Sequence, residues 1–172
     1  PAGDTIAIAK KNTATIVCNF EMGNWFAKQG IPEDQIARGN PGGTVRGAWA
    51  DVRFTKAFHS SSFEDGTYGG VACGLIIRAG GYTVYHAGDT ELFGDMALIR
   101  ELWKPDLALL PIGDLYTMDP RQAAGLAKHI VNPACDLGGR EMQQAEIEDC
   151  AHHGGAEHAA ERRARHRARG TE

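Results

Sequence analysis

Apolar and polar positions repeat with two different periods along the chain, and the switches between them predict its elements. Residues 5–11 read as a helix entered through Asp4, a candidate N-cap. The β-branched stretch 15–18 reads as a short strand. Residues 21–29 have helical spacing that stops at Gly30, with Pro32 just beyond. A strand-rich block covers 44–46, 50–57, 71–78 and 83–86. Ala79-Gly80-Gly81 joins the last two as a tight hairpin turn. Period two turns His86 away from the face that Tyr85 occupies. Residues 91–103 then read as helix, 107–111 as a short, fully buried strand, and 119–130 as an amphipathic helix with Pro120 in its first turn. Antiparallel strands followed by strand-helix-strand-helix predict a mixed α/β layered fold.

Composition divides this picture in two. A chain of 172 residues with a hydrophobic fraction of 42% supports one compact domain, not two. That domain is expected over residues 1–135. No Phe, Trp or Tyr follows Tyr116, and the run 161–170 is almost wholly Glu, Arg, Ala and His. Such sequence has little to bury, so residues 136–172 are expected to be a tail of low order. A net charge of -4 gives no basic field for nucleic acid. The run Leu107-Ala108-Leu109-Leu110-Pro111-Ile112 is too short to span a bilayer. Cys18, Cys73, Cys135 and Cys150 form no C-x-x-C pair. Free thiols, without a charged-then-apolar export signal at the start, predict a reducing, cytoplasmic compartment.

Candidate chemistry sits where strands end. Ala57-Phe58-His59-Ser60-Ser61-Ser62 places a His at a strand tip. Tyr85-His86-Ala87-Gly88-Asp89-Thr90 delivers Asp89 from the end of a hairpin strand. Leu109-Leu110-Pro111-Ile112-Gly113-Asp114 is a third strand breaking into a loop. Polar residues at the ends of adjacent strands are where an α/β fold gathers a site. Imidazole and carboxylate together suit Zn, Mn or Fe. A lone His at a strand end is nonetheless more often a hydrogen-bonded surface residue than a ligand. Gly-Asp-Thr is also a common helix cap, here for a helix starting near Glu91. His86 reads as structural or supporting rather than as a ligand.

Taken together, the stretches resemble one family. Gly3-Asp4-Thr5, Phe20-Glu21, Gly42-Gly43-Thr44, Ala57-Phe58-His59-Ser60-Ser61 and Tyr68-Gly69-Gly70 carry the likeness. It continues through Tyr85-His86-Ala87-Gly88-Asp89-Thr90, Phe93-Gly94-Asp95-Met96, Lys104-Pro105-Asp106, Leu109-Leu110-Pro111-Ile112-Gly113 and Thr117-Met118-Asp119-Pro120. These residues, over about 3–134, resemble uncharacterised bacterial-type metal-dependent hydrolases of the metallo-β-lactamase superfamily. That group is similar to ascorbate-phosphate lactonases and phospholipase-D-like N-acylethanolamine enzymes. The resemblance implies an αββα sandwich of mixed sheets with a divalent-metal site, two Zn (or Mn/Fe), at one edge. It implies attack of an activated water on an ester, lactone or phosphodiester in a small-molecule substrate. His59 matches the family's strand-end ligand, and Asp89 matches its bridging, catalytic carboxylate. Thr90 is expected to orient Asp89, and Ser60 and Ser61 to orient His59 or line the pocket.

The departures shape further expectations. The family's H-x-H-x-D-H motif would lie just before Gly3, and Pro1 stands in the place of its last His. A final ligand His would follow the helix ending near Ile130, where the sequence runs Cys135-Asp136-Leu137-Gly138-Gly139-Arg140. The sandwich is therefore expected to be incomplete, the site short of ligands, and the tail to derive from a reading-frame shift. Three functions stay open. One is a hydrolase impaired by truncation. Another is a non-catalytic product of a decayed gene. The third is a metal- or partner-binding module using the tail's His152, His153 and His158. A homo-oligomer is compatible with each.

Overall fold

The computed structural model of the chain describes residues 3–131. Its elements run α1 (Thr5–Asn12), β1 (Ile16–Asn19), α2 (Phe20–Lys28), a 3-10 turn (Glu33–Gln35), β2 (Ile36–Gly39), β3 (Thr44–Arg46), β4 (Asp51–Lys56), β5 (Cys73–Ala79), β6 (Tyr82–His86), α3 (Met96–Trp103), β7 (Leu107–Leu109) and α4 (Pro120–Ile130). Strands β1 and β2 pair in parallel through α2. The other five form a second sheet in the order β3-β4-β5-β6-β7. Pairing in that sheet is antiparallel from β3 to β6 and parallel between β6 and β7.

The hairpin between β5 and β6 shows how sequence sets register. Gly80 and Gly81 have φ of 58° and 85°, conformations that suit a two-residue loop matched to strand twist. The turn places Ile76 opposite Tyr85. Period two then puts Ile76, Tyr85 and Ala87 on one face, where they pack with Met96 and Ile99 of α3 and Leu126 and Ile130 of α4. His86 points the other way and is exposed, as the alternation predicts. Burying each large apolar side chain here contributes about 1.5–3 kcal/mol. Helix α4 starts with a reciprocal cap. Asp119 Oδ1 accepts from Gln122 N at 2.7 Å, and Gln122 Oε1 accepts from Asp119 N at 2.9 Å. Arg100 of α3 ties the end of α4 by donating to the carbonyls of His129 and Val131.

A second core fills the first sheet. Ile16, Cys18 and Ile36 on β1 and β2 meet Ala9 of α1 and Phe26 of α2, with Ile31 beside them. Asn19 caps α2 by accepting a hydrogen bond from Met22 N at 2.8 Å.

Several sequence expectations need correction. Asp4 stands at the N-cap position of α1 but makes no side-chain cap bond. Strand β2 was not expected; Arg38 and Gly39 interrupt the apolar pattern that would have marked it. The helix expected from Glu91 begins only at Met96, because the backbone and hydroxyl of Thr90 bond across to other loops instead of capping a helix. Strand β7 ends at Leu109, which is 46% exposed, so the apolar run 107–111 is not a fully buried strand. Residues 136–172, whose low order was expected, lie outside the described residues, with Cys135, Cys150 and the tail histidines. No helix of the described residues is long and apolar enough to cross a membrane.

Burial makes fold stability sensitive to alkaline pH. It pushes the Cys18 thiol from 9.0 up to about 11, against a smaller downward pull from Arg38. It pushes the fully buried Tyr85 phenol from 10.0 up to about 12; the Thr55 hydroxyl offsets part of this without reaching hydrogen-bond geometry. Both groups hold their protons more tightly folded than unfolded. Their contribution is therefore complete below about pH 9 and is lost as pH rises through 11 to 12. Urea midpoints should fall steadily between pH 9 and 12, and Cys18→Ala should flatten the first part of that fall. An unchanged midpoint across the range contradicts the burial argument.

Candidate functional site

Strand direction decides which loops meet. Since β4 and β6 both run antiparallel to β5, they point the same way, and β7 is parallel to β6. The C-terminal ends of β4, β6 and β7 therefore share one sheet edge. Residues 57–62, 87–90 and 110–114 all emerge there, so the three stretches with candidate chemistry come together.

Hydrogen bonds lace these loops to one another. Thr90, with 0% of its surface exposed, is the hub. Its Oγ1 accepts from Phe58 N at 2.9 Å and donates to its neighbour Glu91 O at 2.9 Å. Its carbonyl accepts from Met118 N at 2.9 Å, and Glu91 N donates back to Phe58 O at 3.4 Å. Ala87 N donates to Leu109 O at 2.9 Å, closing the contact with β7. His59 follows Phe58 and Asp89 precedes Thr90, so the two candidate donors flank a direct bond between their loops. The Thr90 hydroxyl is committed to Phe58 and Glu91. It links the two loops, in place of the expected role of orienting Asp89.

The ring of the half-buried His59 is held by a neighbouring carbonyl. Its Nδ1 lies 2.7 Å from Ser60 O. A carbonyl only accepts, so Nδ1 is the donor in this contact, and in the neutral ring Nε2 is the nitrogen left with its lone pair. Ligating histidines characteristically donate their second ring N–H to a carbonyl in this way. Ser60 thus orients the ring through its backbone, not its hydroxyl. Asp89 is exposed. His86 is occupied otherwise, its Nδ1 accepting from Gly88 N at 3.0 Å, in keeping with a structural role.

Aromatic and charged contacts fix the rim. Phe58 meets Phe93 edge-on, with ring centroids 5.3 Å apart. Lys56 pairs with Asp95 and sets its ammonium 5.5 Å from the Phe58 ring and 5.6 Å from that of Phe93. These contacts hold loop 91–95 against the end of β4. A shallow cavity of about 370 Å³ lies at the opposite sheet edge, lined by Trp49, Asp51, Arg78 and Tyr82 among others. It is remote from the strand-end chemistry and has no part in it.

His59 and Asp89 supply donor types that fit a divalent cation. They are two, and structural or catalytic zinc generally takes at least three protein ligands. Among the described residues no group of three or more His, Cys, Asp or Glu could hold a metal ion. The edge fits a metal as part of a ligand set.

A mixed α/β sheet packed by helices, with imidazole and carboxylate at the same strand-end edge, is compatible with the metallo-β-lactamase class of fold. The comparisons agree. The profile of the Beta-lactamase superfamily domain matches residues 3–134, and the chain belongs to that superfamily. It is 48% identical over 130 residues to a metal-dependent hydrolase of Koribacter versatilis, covering 73% of this chain and 55% of that one. It is 47% identical over 123 residues to a metal-dependent hydrolase of Thermus thermophilus, covering 70% and 52%. Its fold is similar to that of a metallo hydrolase from the hyperthermophilic archaeon Ignicoccus hospitalis, with a TM-score of 0.64 and 35% identity over 75% of this chain and 54% of that one. The chain spans about half the length of the curated relatives it matches.

Sequence reasoning singled out His59 and Asp89 as candidates but missed what joins their loops. Asn19 also went unnoticed. An Asn directly before a helical run, with an acidic Glu21 in the first turn, is an N-cap signal that marks it. Its bonds to a loop 50 residues away leave no mark in the sequence.

Proposed function

We propose that the chain carries part of a metal-dependent hydrolase site, with His59 Nε2 and the Asp89 carboxylate as metal donors and an ester, lactone or phosphodiester of small size as substrate. The observation that carries this reading is the Phe58–Thr90 hydrogen bond, which holds the two donor loops side by side at one sheet edge. Relatives of similar sequence bear the name metal-dependent hydrolase, which supports the reaction class. Zinc suits an imidazole and carboxylate pair, and manganese or iron are the alternatives. A divalent cation held there supplies Lewis acidity and activates water near neutral pH. The chain's own part is to present donors already in place. Ser60 O fixes the His59 ring, and Thr90 keeps the His59 and Asp89 loops in contact.

The test is metal removal. The zinc-loaded chain is assayed against a nitrophenyl ester, a lactone and bis-nitrophenyl phosphate. At least one should be hydrolysed above a metal-free control, with loss on chelation and recovery on adding zinc. Turnover indifferent to the chelator, or unchanged in His59→Ala, would remove the proposal.

A further inference from the structure

We propose that Asn19 is a positioning residue for His59, clamping the far end of the span that carries it, where Thr90 holds the near end. The proposal rests on reading His59 as a metal donor. Asn19 is 4% exposed and lies in the first sheet, far along the chain from the site. Its side-chain hydrogen bonds go to two places. Oδ1 accepts from Met22 N and starts α2. Nδ2 donates to Gly69 O at 2.7 Å and to Val71 O at 3.1 Å.

Those carbonyls belong to the return arm of a small hairpin. Gly69 N donates to Ser61 O at 3.0 Å, Ser62 bridges Tyr68, and Phe63 N donates to Thr67 O at 2.9 Å. His59 therefore sits on a four-residue span with each end fixed. Phe58 is held by Thr90, and Ser61 is held through Gly69 by Asn19. Gly70 shows how closely this clamp is built. Its φ is +83°, and a Cβ there would come within 2.6 Å of Asn19 Nδ2 and 2.5 Å of Glu21 Oε2. Trp25 of α2 stacks on Phe63 at 4.1 Å, giving the hairpin an independent anchor that survives loss of the Asn19 bonds.

Asn19→Asp separates the two jobs of the side chain. Aspartate still accepts from Met22 N and caps α2, but it cannot donate to Gly69 or Val71. Amide exchange and the His59 ring resonances are read by NMR on the whole chain. In Asn19→Asp the Gly69 amide should exchange about tenfold faster or more, the scale of one lost hydrogen bond. The His59 ring signals should shift, while the Met22 amide and the Ala87 amide in the second sheet keep wild-type protection. Gly70→Ala, which presses on the clamp from the other side, should give the same signature and serves if Asn19→Asp does not fold. Wild-type exchange at Gly69 together with unmoved His59 signals would overturn the proposal. Absence of metal-dependent hydrolysis would instead sink the hydrolase reading, and these signals would still decide whether Asn19 places His59.

Discussion

Asp89→Asn should lower zinc affinity and any metal-dependent turnover by about 100-fold or more, and leave the melting temperature unchanged. Loss of a group that only supports a metal ligand already costs 10–100-fold, so loss of a ligand charge sets a larger floor. The side chain is exposed, and Asn keeps its shape. Competition with a zinc indicator and a thermal melt on the same samples check both halves. A drop in melting temperature matching the loss of affinity would assign Asp89 a structural role instead.

Thr90→Val should do the reverse and damage both fold and site. Valine fills the same volume, so packing is conserved. The hydroxyl of this buried side chain, however, accepts a hydrogen bond from Phe58 N and donates one to Glu91 O. Both bonds are part-buried, so losing them is expected to cost about 1–3 kcal/mol in all. Zinc affinity should fall with it, since the His59 and Asp89 loops lose their direct tie. Urea denaturation measures the first effect. Thr90→Ser, which restores the hydroxyl, should recover most of the stability; a serine variant no better than valine would mean that the methyl group, not the bond, is what matters.

The β5–β6 hairpin follows from patterns that the sequence displays openly. Period-two alternation marks residues 71–78 and 83–86, and Gly80-Gly81 can serve only as a turn, so β5 and β6 are legible together with their register. The Asp119, Pro120 and Gln122 trio announces α4. What failed has identifiable causes. β2 is short, and Arg38 and Gly39 erase its apolar signal. The stretch 91–95 has helical residues, yet it is held as a loop by Lys56–Asp95 and by the Phe58–Phe93 contact, both tertiary. An apolar run such as 107–111 cannot say whether both faces are covered, and Leu109 is not. For the site, residue types and strand ends pointed to His59 and Asp89 only once the family likeness was recognised. The roles of Thr90 and Asn19 depend on bonds between segments 32 and 50 residues apart, beyond any local reading.

Titration of the isotope-labelled chain with Mn²⁺, a paramagnetic probe, bears most directly on whether the imidazole at 59 and the carboxylate at 89 serve one cation. Resonances of residues 57–60 and 88–91 should broaden first and together, at the same metal concentration, and both sets should stay sharp in Asp89→Asn. Broadening of one set without the other, or of residues elsewhere in the chain while both stay sharp, would contradict a shared site.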